Sequence, residues 1–540
     1  MWMMVHANGY ALDAKGQRFE AVVVDGERIV AVGSTADLML QFASRVDGIL
    51  DLQGATVVPG LVDSHMHIAA VGEQALKLNL SGVRSKQALL DRVDEWARRL
   101  APDEWVLGGG WDDNRFVDRI LPTLEELNGA AGGRPMLLNR ICQHAFLANS
   151  AALHLAGIDI NAPDPPDGRY GRSHAGELTG LIYENAVRPI LRVVPKRSKE
   201  QWKVALRAGM EMALKAGLTA VHTDDVRSFE TFADTWETFY QLIHEDQVKL
   251  RVHELVDWHY LDEIPTVRHL LPKPDHWLQI GAAKLFADGA MGGSTAWLSA
   301  PYSDAPGWTG TPIYTPAELM SRIRSAREKG FASAVHAIGD AALDTLLTIL
   351  EALPRGPLRD RIIHAEVIRP DLVERMAALG DRVVVDIQPR FTVSDFPWIA
   401  DRLGDERIAN ACAWKTLKDA GLFLAGGSDA PIEPLEPLLG IHAAVTRRPP
   451  FADGDGYGMA EALSPEEAVR LFSRDTSYAS QTETEKGVIA PGWLADFTVL
   501  DRDIVFPETV DQIRDANVLY TIVGGNMAYA ADGRQVEWSA

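Results

Sequence analysis

A (β/α)8 barrel is the fold class that this sequence predicts, carrying a small β-sandwich built from both chain ends and an inserted α/β subdomain after barrel strand 1. Three observations lead there. Eight short, apolar, β-branched runs alternate with helix-like segments through the middle of the chain. Both ends are rich in strand signals and neither is long enough to bury a core alone. One connection is far longer than a barrel loop.

Near the start, Ala21-Val22-Val23-Val24 runs into Asp25-Gly26 and is followed by Arg28-Ile29-Val30-Ala31-Val32. An Asp-Gly between two apolar runs is a hairpin signal. The end repeats the pattern with Asp496 to Asp501, Val518 to Val523 and then Gly524-Gly525. Packing the two ends together gives one β domain from residues 1–58 and 485–540. The barrel runs expected between them are Gly60 to Met66, Leu218 to Thr223, Lys249 to Leu255, Gln279 to Phe286, Phe331 to His336, Arg361 to Ala365, Val383 to Ile387 and Phe423 to Ser428. Helical patterns follow several of them, at Pro316 to Lys329, Ala341 to Leu350 and Pro370 to Leu379. Runs of this buried type alternating with helices imply a parallel sheet, and eight units suggest closure, so the barrel is assigned to 59–71 and 199–484. No GxGxxG follows the first run to favour an open doubly wound sheet. Residues 72–198 are the insertion, with strands expected at Trp105 to Leu107 and Met136 to Asn139 and a turn-rich piece at Asn161 to Gly168. Leaving from the end of strand 1, it is expected to cover the active site.

The chain has 540 residues, 46% of them apolar, enough for more than one core. Lys plus Arg number 53 against 75 Asp plus Glu, a balance of −22 that argues against nucleic acid or an anionic membrane as partner. The two cysteines, Cys142 and Cys412, form no CxxC motif, so a disulfide framework is not expected and a reducing compartment fits. The first residues have no basic region leading into an apolar stretch, and no run reaches the roughly 18 apolar residues of a membrane span. A cytoplasmic protein acting on a small molecule is expected. The oligomeric state is open, a homodimer included.

The chemistry starts at Val62-Asp63-Ser64-His65-Met66-His67. Residues i and i+2 of a strand share a face, so His65 and His67 present two imidazoles to one side. An isolated HxH is weak, but this one ends an apolar run after Pro59-Gly60, where barrel active sites lie. His336, His364 and Asp429 end three later runs in the same way. Lys284 lies inside the fourth, where an unpaired charge is costly. It is either paired with an acid such as Asp288, or neutral and able to react with CO2 to give a carbamate that bridges two cations.

With these residues in place, the chain resembles the amidohydrolase superfamily: HxH on strand 1, Lys on strand 4, His on strands 5 and 6, Asp on strand 8. Pro59 to His67, Lys284-Leu285-Phe286-Ala287-Asp288-Gly289, His336-Ala337-Ile338-Gly339-Asp340 and Ser428-Asp429-Ala430-Pro431 are similar to amidohydrolase family 3, the branch that includes N-substituted formamide deformylases. Lys486 to Phe497 resembles the superfamily's return to its β domain, so the likeness runs from about residue 20 to about 525. The resemblance implies one or two divalent metal ions, usually zinc, although such ligands also suit Mn, Co or Fe. It implies that His65, His67, Lys284 and Asp429 hold the more buried ion, and that Lys284, as a carbamate, holds a second with His336 and His364. It further implies hydrolysis of a non-peptide C–N bond (amide, N-formyl, carbamate or cyclic amide) by hydroxide generated at the metal, with Asp429 as proton shuttle.

Substrate contacts are sought in Trp111 and His144 of the insertion, in Asp288, and in Arg390, which follows the seventh run in Gln388-Pro389-Arg390 and is read as a carboxylate holder or a partner of a nearby acid. A core tryptophan and a structural histidine are the plainer readings of the first two. A decarboxylase or isomerase on the same scaffold, or a non-catalytic descendant, is the competing function.

Overall fold

A computed structural model describes residues 1–140, 144–165, 168–356 and 358–531. It divides into two compact units, one of residues 1–71 with 209–540 and one of residues 72–208.

The first unit holds the barrel. Its strands are β1 (Leu61–Met66), β2 (Leu218–Thr223), β3 (Arg251–Asp257), β4 (Leu278–Phe286), β5 (Ala332–Ala337), β6 (Asp360–His364), β7 (Val383–Ile387) and β8 (Leu424–Gly426). They form one sheet in sequence order, every neighbouring pair parallel. Nearly every strand residue is buried, as strands covered on both faces must be. The expected runs agree with the strands to within about two residues at each end, the last regular ladder stopping at Gly426. Beyond it the chain turns across to β1, where the Asp429 N–H donates to the His65 carbonyl at 2.7 Å and the His67 N–H to that of Ala430 at 2.8 Å. A side chain at Gly427 would lie 2.7 Å from the His65 nitrogen, so this crossing admits only glycine.

The helices start where local chemistry favours it. Thr315 and Ser464 each close a capping box, with Glu318 and Glu467, before helices Pro316–Glu328 and Pro465–Leu471. Pro370 opens helix Pro370–Leu379.

The chain ends form two further sheets. One runs Arg28–Gly33, Ala21–Asp25, Trp2–Val5, Ile49–Asp51; the other runs Asn526–Ala530, Val518–Val523, Phe497–Leu500, Thr56–Pro59, Asn8–Tyr10, Arg18–Phe19. The Asp25-Gly26 hairpin is present, Asp25 pairing with Arg28. Thr56–Pro59 pairs antiparallel with Phe497–Leu500, so one sheet joins both ends of the chain. Val22, Val24, Val57, Phe497, Val499 and Ile522 fill the core between the sheets.

The second unit has its own mixed sheet, ordered Gly168–Arg172, Leu178–Glu184, Ala145–Ala148, Met136–Arg140, Val106–Trp111, Leu78–Asn79. Leu89, Val93, Leu127 and Leu138 pack on it. Cys142 and part of the Asn161 to Gly168 turn lie outside the described residues, and Cys412 is buried as a free thiol. Among the described residues no helix is long and apolar enough to cross a membrane.

Candidate metal centre

The six residues expected to ligate metal end barrel strands of the first unit or directly follow them. Three backbone positions aim the side chains. His364 (φ 77°), Ala365 (φ 46°) and Asp429 (φ 58°) adopt the left-handed region that non-glycine residues avoid. Each such position costs on the order of 1–3 kcal/mol and persists only where its surroundings hold it. Here Ala365 N–H donates to the Ala337 carbonyl at 3.1 Å, and Asp429 is tied to His65 as above.

Asp429 is the focus. Its Oδ1 lies 3.3 Å from Nε2 of His65 and 3.3 Å from Nε2 of His67. Lys284 Nζ is 3.0 Å from the same His65 nitrogen, and the lysine is itself fully buried. One ligand atom from each of His65, His364 and Asp429 falls within 4.8 Å of the others. His336 packs edge-on to His364, ring centroids 4.4 Å apart. Of the two readings of Lys284, pairing with Asp288 does not occur: the amine faces His65.

The far sides of the rings are tied down. His67 Nδ1 meets the Asp224 carbonyl at 3.1 Å, His364 Nδ1 the Gln388 Oε1 at 2.7 Å, and His336 Nε2 the Gly289 carbonyl at 3.0 Å. Oxygen acceptors at those positions fix the proton on the outer nitrogen and leave the inner lone pair for a ligand. Burial, with Lys284 close by, holds His65 well below the usual imidazole range, and burial also holds His336 well down. Burial lowers His364 to about 4, against the pull of Asp429. These three are neutral at physiological pH, as a metal ligand must be. Burial likewise brings the Lys284 amine down to about 8, although Asp224 and Asp429 work against it. His67 is the exception: burial disfavours its charge, but the Asp429 carboxylate outweighs burial and lifts it to about 9. Asp429 is in turn held below the usual carboxylate range, its own burial overcome by His67 and His364. Imidazole nitrogens, a carboxylate and an amine converging with inward lone pairs fit a divalent cation.

Over residues 48–529 the sequence matches the amidohydrolase family. The chain belongs to the amidohydrolase family. Residues 21–42 also match an imidazolonepropionase-like composite domain of bacteria. The chain is 38% identical, over 96% of its length and 98% of the relative's, to YtcJ of Bacillus subtilis (strain 168), a protein named as an amidohydrolase. It is 27% identical to the N-substituted formamide deformylase of Arthrobacter pascens, over 98% of each chain. Its fold is that of a metal-dependent hydrolase from Pyrococcus furiosus, with a TM-score of 0.77 and 28% identity over 94% of this chain and 100% of that one. Family and site together assign a hydrolase scaffold built for a divalent metal.

The expected substrate contacts have partners within the protein. The Asp288 carboxylate is buried 3.6 Å from His336 Nε2 and accepts three backbone N–H groups, from Trp297 (2.8 Å), Ile338 (3.0 Å) and Gly339 (2.8 Å), so it braces the loop after β4. Trp111 is likewise buried in the core of the second unit, its indole N–H donating to the Leu138 carbonyl at 3.2 Å. That is the plainer of its two readings. His144 is exposed and bonds Glu184 at 2.9 Å. Arg390 takes the acid-pairing alternative, with Glu433 at 3.0 Å, while its Nη1 is buried without a partner among the described residues. Sequence reasoning passed over Asp224, Gln388 and Ser428, which support the ligands or their backbone. For Gln388 and Ser428 the signal was a polar residue just beyond the end of a barrel strand; Asp224 meets His67 through its backbone carbonyl, which no residue type announces.

Proposed function

We propose that this protein hydrolyses a non-peptide C–N bond in a small molecule (an amide, N-formyl, carbamate or cyclic amide), with zinc at the centre and Lys284 carried as a carbamate. The observation that carries the reading is Asp429, whose carboxylate Oδ1 lies 3.3 Å from both His65 and His67 at the centre of the cluster. A carboxylate of this kind accepts a proton from the attacking water at Oδ and returns it to the leaving nitrogen, the exchange that C–N cleavage requires. When bound, a divalent cation lowers the pKa of water to about 7 and polarises a carbonyl. His65, His67, His364 and Asp429 would hold it, joined by His336 and Lys284. The full-length likeness to an N-substituted formamide deformylase supports an N-acyl or N-formyl substrate. The lowered Lys284 amine supports the carbamate: the neutral nitrogen adds to CO2, forming one N–C bond and releasing one proton.

The test is metal analysis followed by a panel of N-formyl, N-acyl and carbamate compounds. About one to two equivalents of transition metal are expected, with turnover lost on chelation and restored on re-addition. Full activity in rigorously metal-free protein would overturn the reading. Mass spectrometry under CO2 and a crystal map should show the added carboxyl on Lys284; an unmodified lysine in active, metal-loaded enzyme removes the carbamate.

A further inference from the structure

The barrel closes without a regular ladder between β1 and β8, which lie at the two ends of its sheet. Yet these are the segments that bring His65 and His67 on one side to Asp429 on the other. Beside the two backbone bonds already described, from Asp429 to His65 and from His67 to Ala430, one buried carboxylate bridges the gap. Asp63 Oδ1 accepts the His65 N–H at 3.0 Å and the Ser428 N–H at 3.0 Å, and its Oδ2 accepts the Ser428 hydroxyl at 2.5 Å. Ser428 Oγ passes the connection on by accepting the Ala430 N–H at 2.9 Å. The Gly427 Cα hydrogens face the same place, since a Cβ there would lie 3.0 Å from Asp63 Oδ1.

We infer that Asp63 is a positioning residue that sets the distance between the HxH pair and Asp429 by holding the backbone on both sides of the barrel seam. Asp63 bonds the backbone N–H groups of His65 and Ser428 and the Ser428 hydroxyl rather than any ligand atom, so it acts through those two residues. Its three donors come from two residues, each the ligand itself or the ligand's immediate neighbour. Two backbone N–H groups and a hydroxyl converging on one carboxylate leave little freedom for either segment to slide. Groups that orient metal ligands without touching the metal typically contribute 10–100-fold to metal affinity.

The inference rests on reading the cluster as a cation site, and the experiment separates the two. Zn2+ affinity is measured for the full-length protein by competition with a chelating dye, and melting is recorded with and without Zn2+. Wild-type protein that binds no Zn2+ overturns the proposed function. Given wild-type binding, Asp63→Ala is expected to lose about 10–100-fold in affinity and most of the Zn2+-induced rise in Tm. Asp63→Asn keeps an oxygen acceptor for both backbone N–H groups and is expected to stay within about threefold of wild type. Unchanged affinity in Asp63→Ala, equal Tm losses with and without Zn2+, or Asp63→Asn as weak as Asp63→Ala would each overturn the inference. Should Asp63→Ala fail to fold, Ser428→Ala removes only the hydroxyl leg. It is expected to weaken Zn2+ about three- to tenfold, and wild-type affinity there overturns the inference as well.

Discussion

His67 holds its charge against burial because Asp429 lies 3.3 Å from its Nε2, with Asp224 adding to the pull. With a folded pKa of about 9 against an ordinary 6.5, this contact stabilises the cation-free protein fully below about pH 6.5, and the contribution is lost as pH rises through 9. A metal needs the neutral ring, so cation binding between those limits must expel a proton. Calorimetry of Zn2+ binding at pH 7.5 in buffers of different ionisation enthalpy should report that release; heats independent of buffer would contradict it. Asp429→Asn retains the shape but neither the charge nor the basicity. It should lower turnover at least about 10²-fold, with metal content measured alongside. A metal-replete variant with near-normal turnover would remove Asp429 from the chemistry. Single residues were legible in the sequence where their type was improbable in context: two histidines two apart, a lysine in an apolar strand. Gln388 was not, because a glutamine after a strand is ordinary turn chemistry until the histidine it faces is known, and Asp224 was not, because it meets His67 through a backbone carbonyl that any residue would supply.

Elements were legible to the extent that their hydrophobic pattern was local. The barrel strands are buried on both faces and read as uninterrupted apolar runs, which fixes existence and order well and ends poorly. The insertion is less readable. Val106–Trp111 contains Gly108, Gly109 and Gly110, which erase the alternation of a strand, and the sheet order departs from sequence order. Gly108 is required there, since a Cβ would fall 2.4 Å from the Leu78 carbonyl oxygen. The strand that looked like a candidate pocket wall is thus central to the second unit's own core. Trp111→Ala should destabilise residues 72–208 by about 3–5 kcal/mol, seen as faster limited proteolysis within that segment. His144→Ala, at an exposed position paired with Glu184, should stay within about 0.5 kcal/mol of wild type. Proteolysis unchanged in Trp111→Ala would show that the indole contributes no packing.

At the scale of the first unit, barrel and sandwich share a buried ion pair. Arg251 at the start of β3 donates from Nε and Nη2 to both carboxylate oxygens of Asp496, at 2.8 and 2.9 Å, and Gly524 N–H adds a third bond at 2.7 Å. Burial pushes the Asp496 carboxyl up, but Arg251 overcomes it and holds the group below the usual carboxylate range. Removing one partner strands the other in the interior, a loss of about 3–5 kcal/mol, so Asp496→Ala should be strongly destabilised at pH 7. Since the folded carboxyl is depressed, its contribution is present above about pH 4 and fades as pH falls through the folded value. Urea unfolding of wild type and Asp496→Asn should therefore converge in acid; an equal gap at pH 7 and pH 3 would refute the assignment. The sequence showed that the two ends belong together but not this pair, whose members are 245 positions apart.

The sheet that unites the two ends also sets a schedule. The Leu61 N–H donates to the Thr498 hydroxyl 437 positions later, and Thr56–Pro59 has Phe497–Leu500 as its neighbour on one side. A ribosome adding about 5–20 residues per second needs roughly 20–90 s to deliver that neighbour. Throughout that interval the early strand presents an open edge, the kind that recruits other chains. Synthesis that stalls before residue 497 leaves this edge open indefinitely. Yield in cells should therefore depend on translation speed and chaperone supply as much as on the stability of the finished molecule.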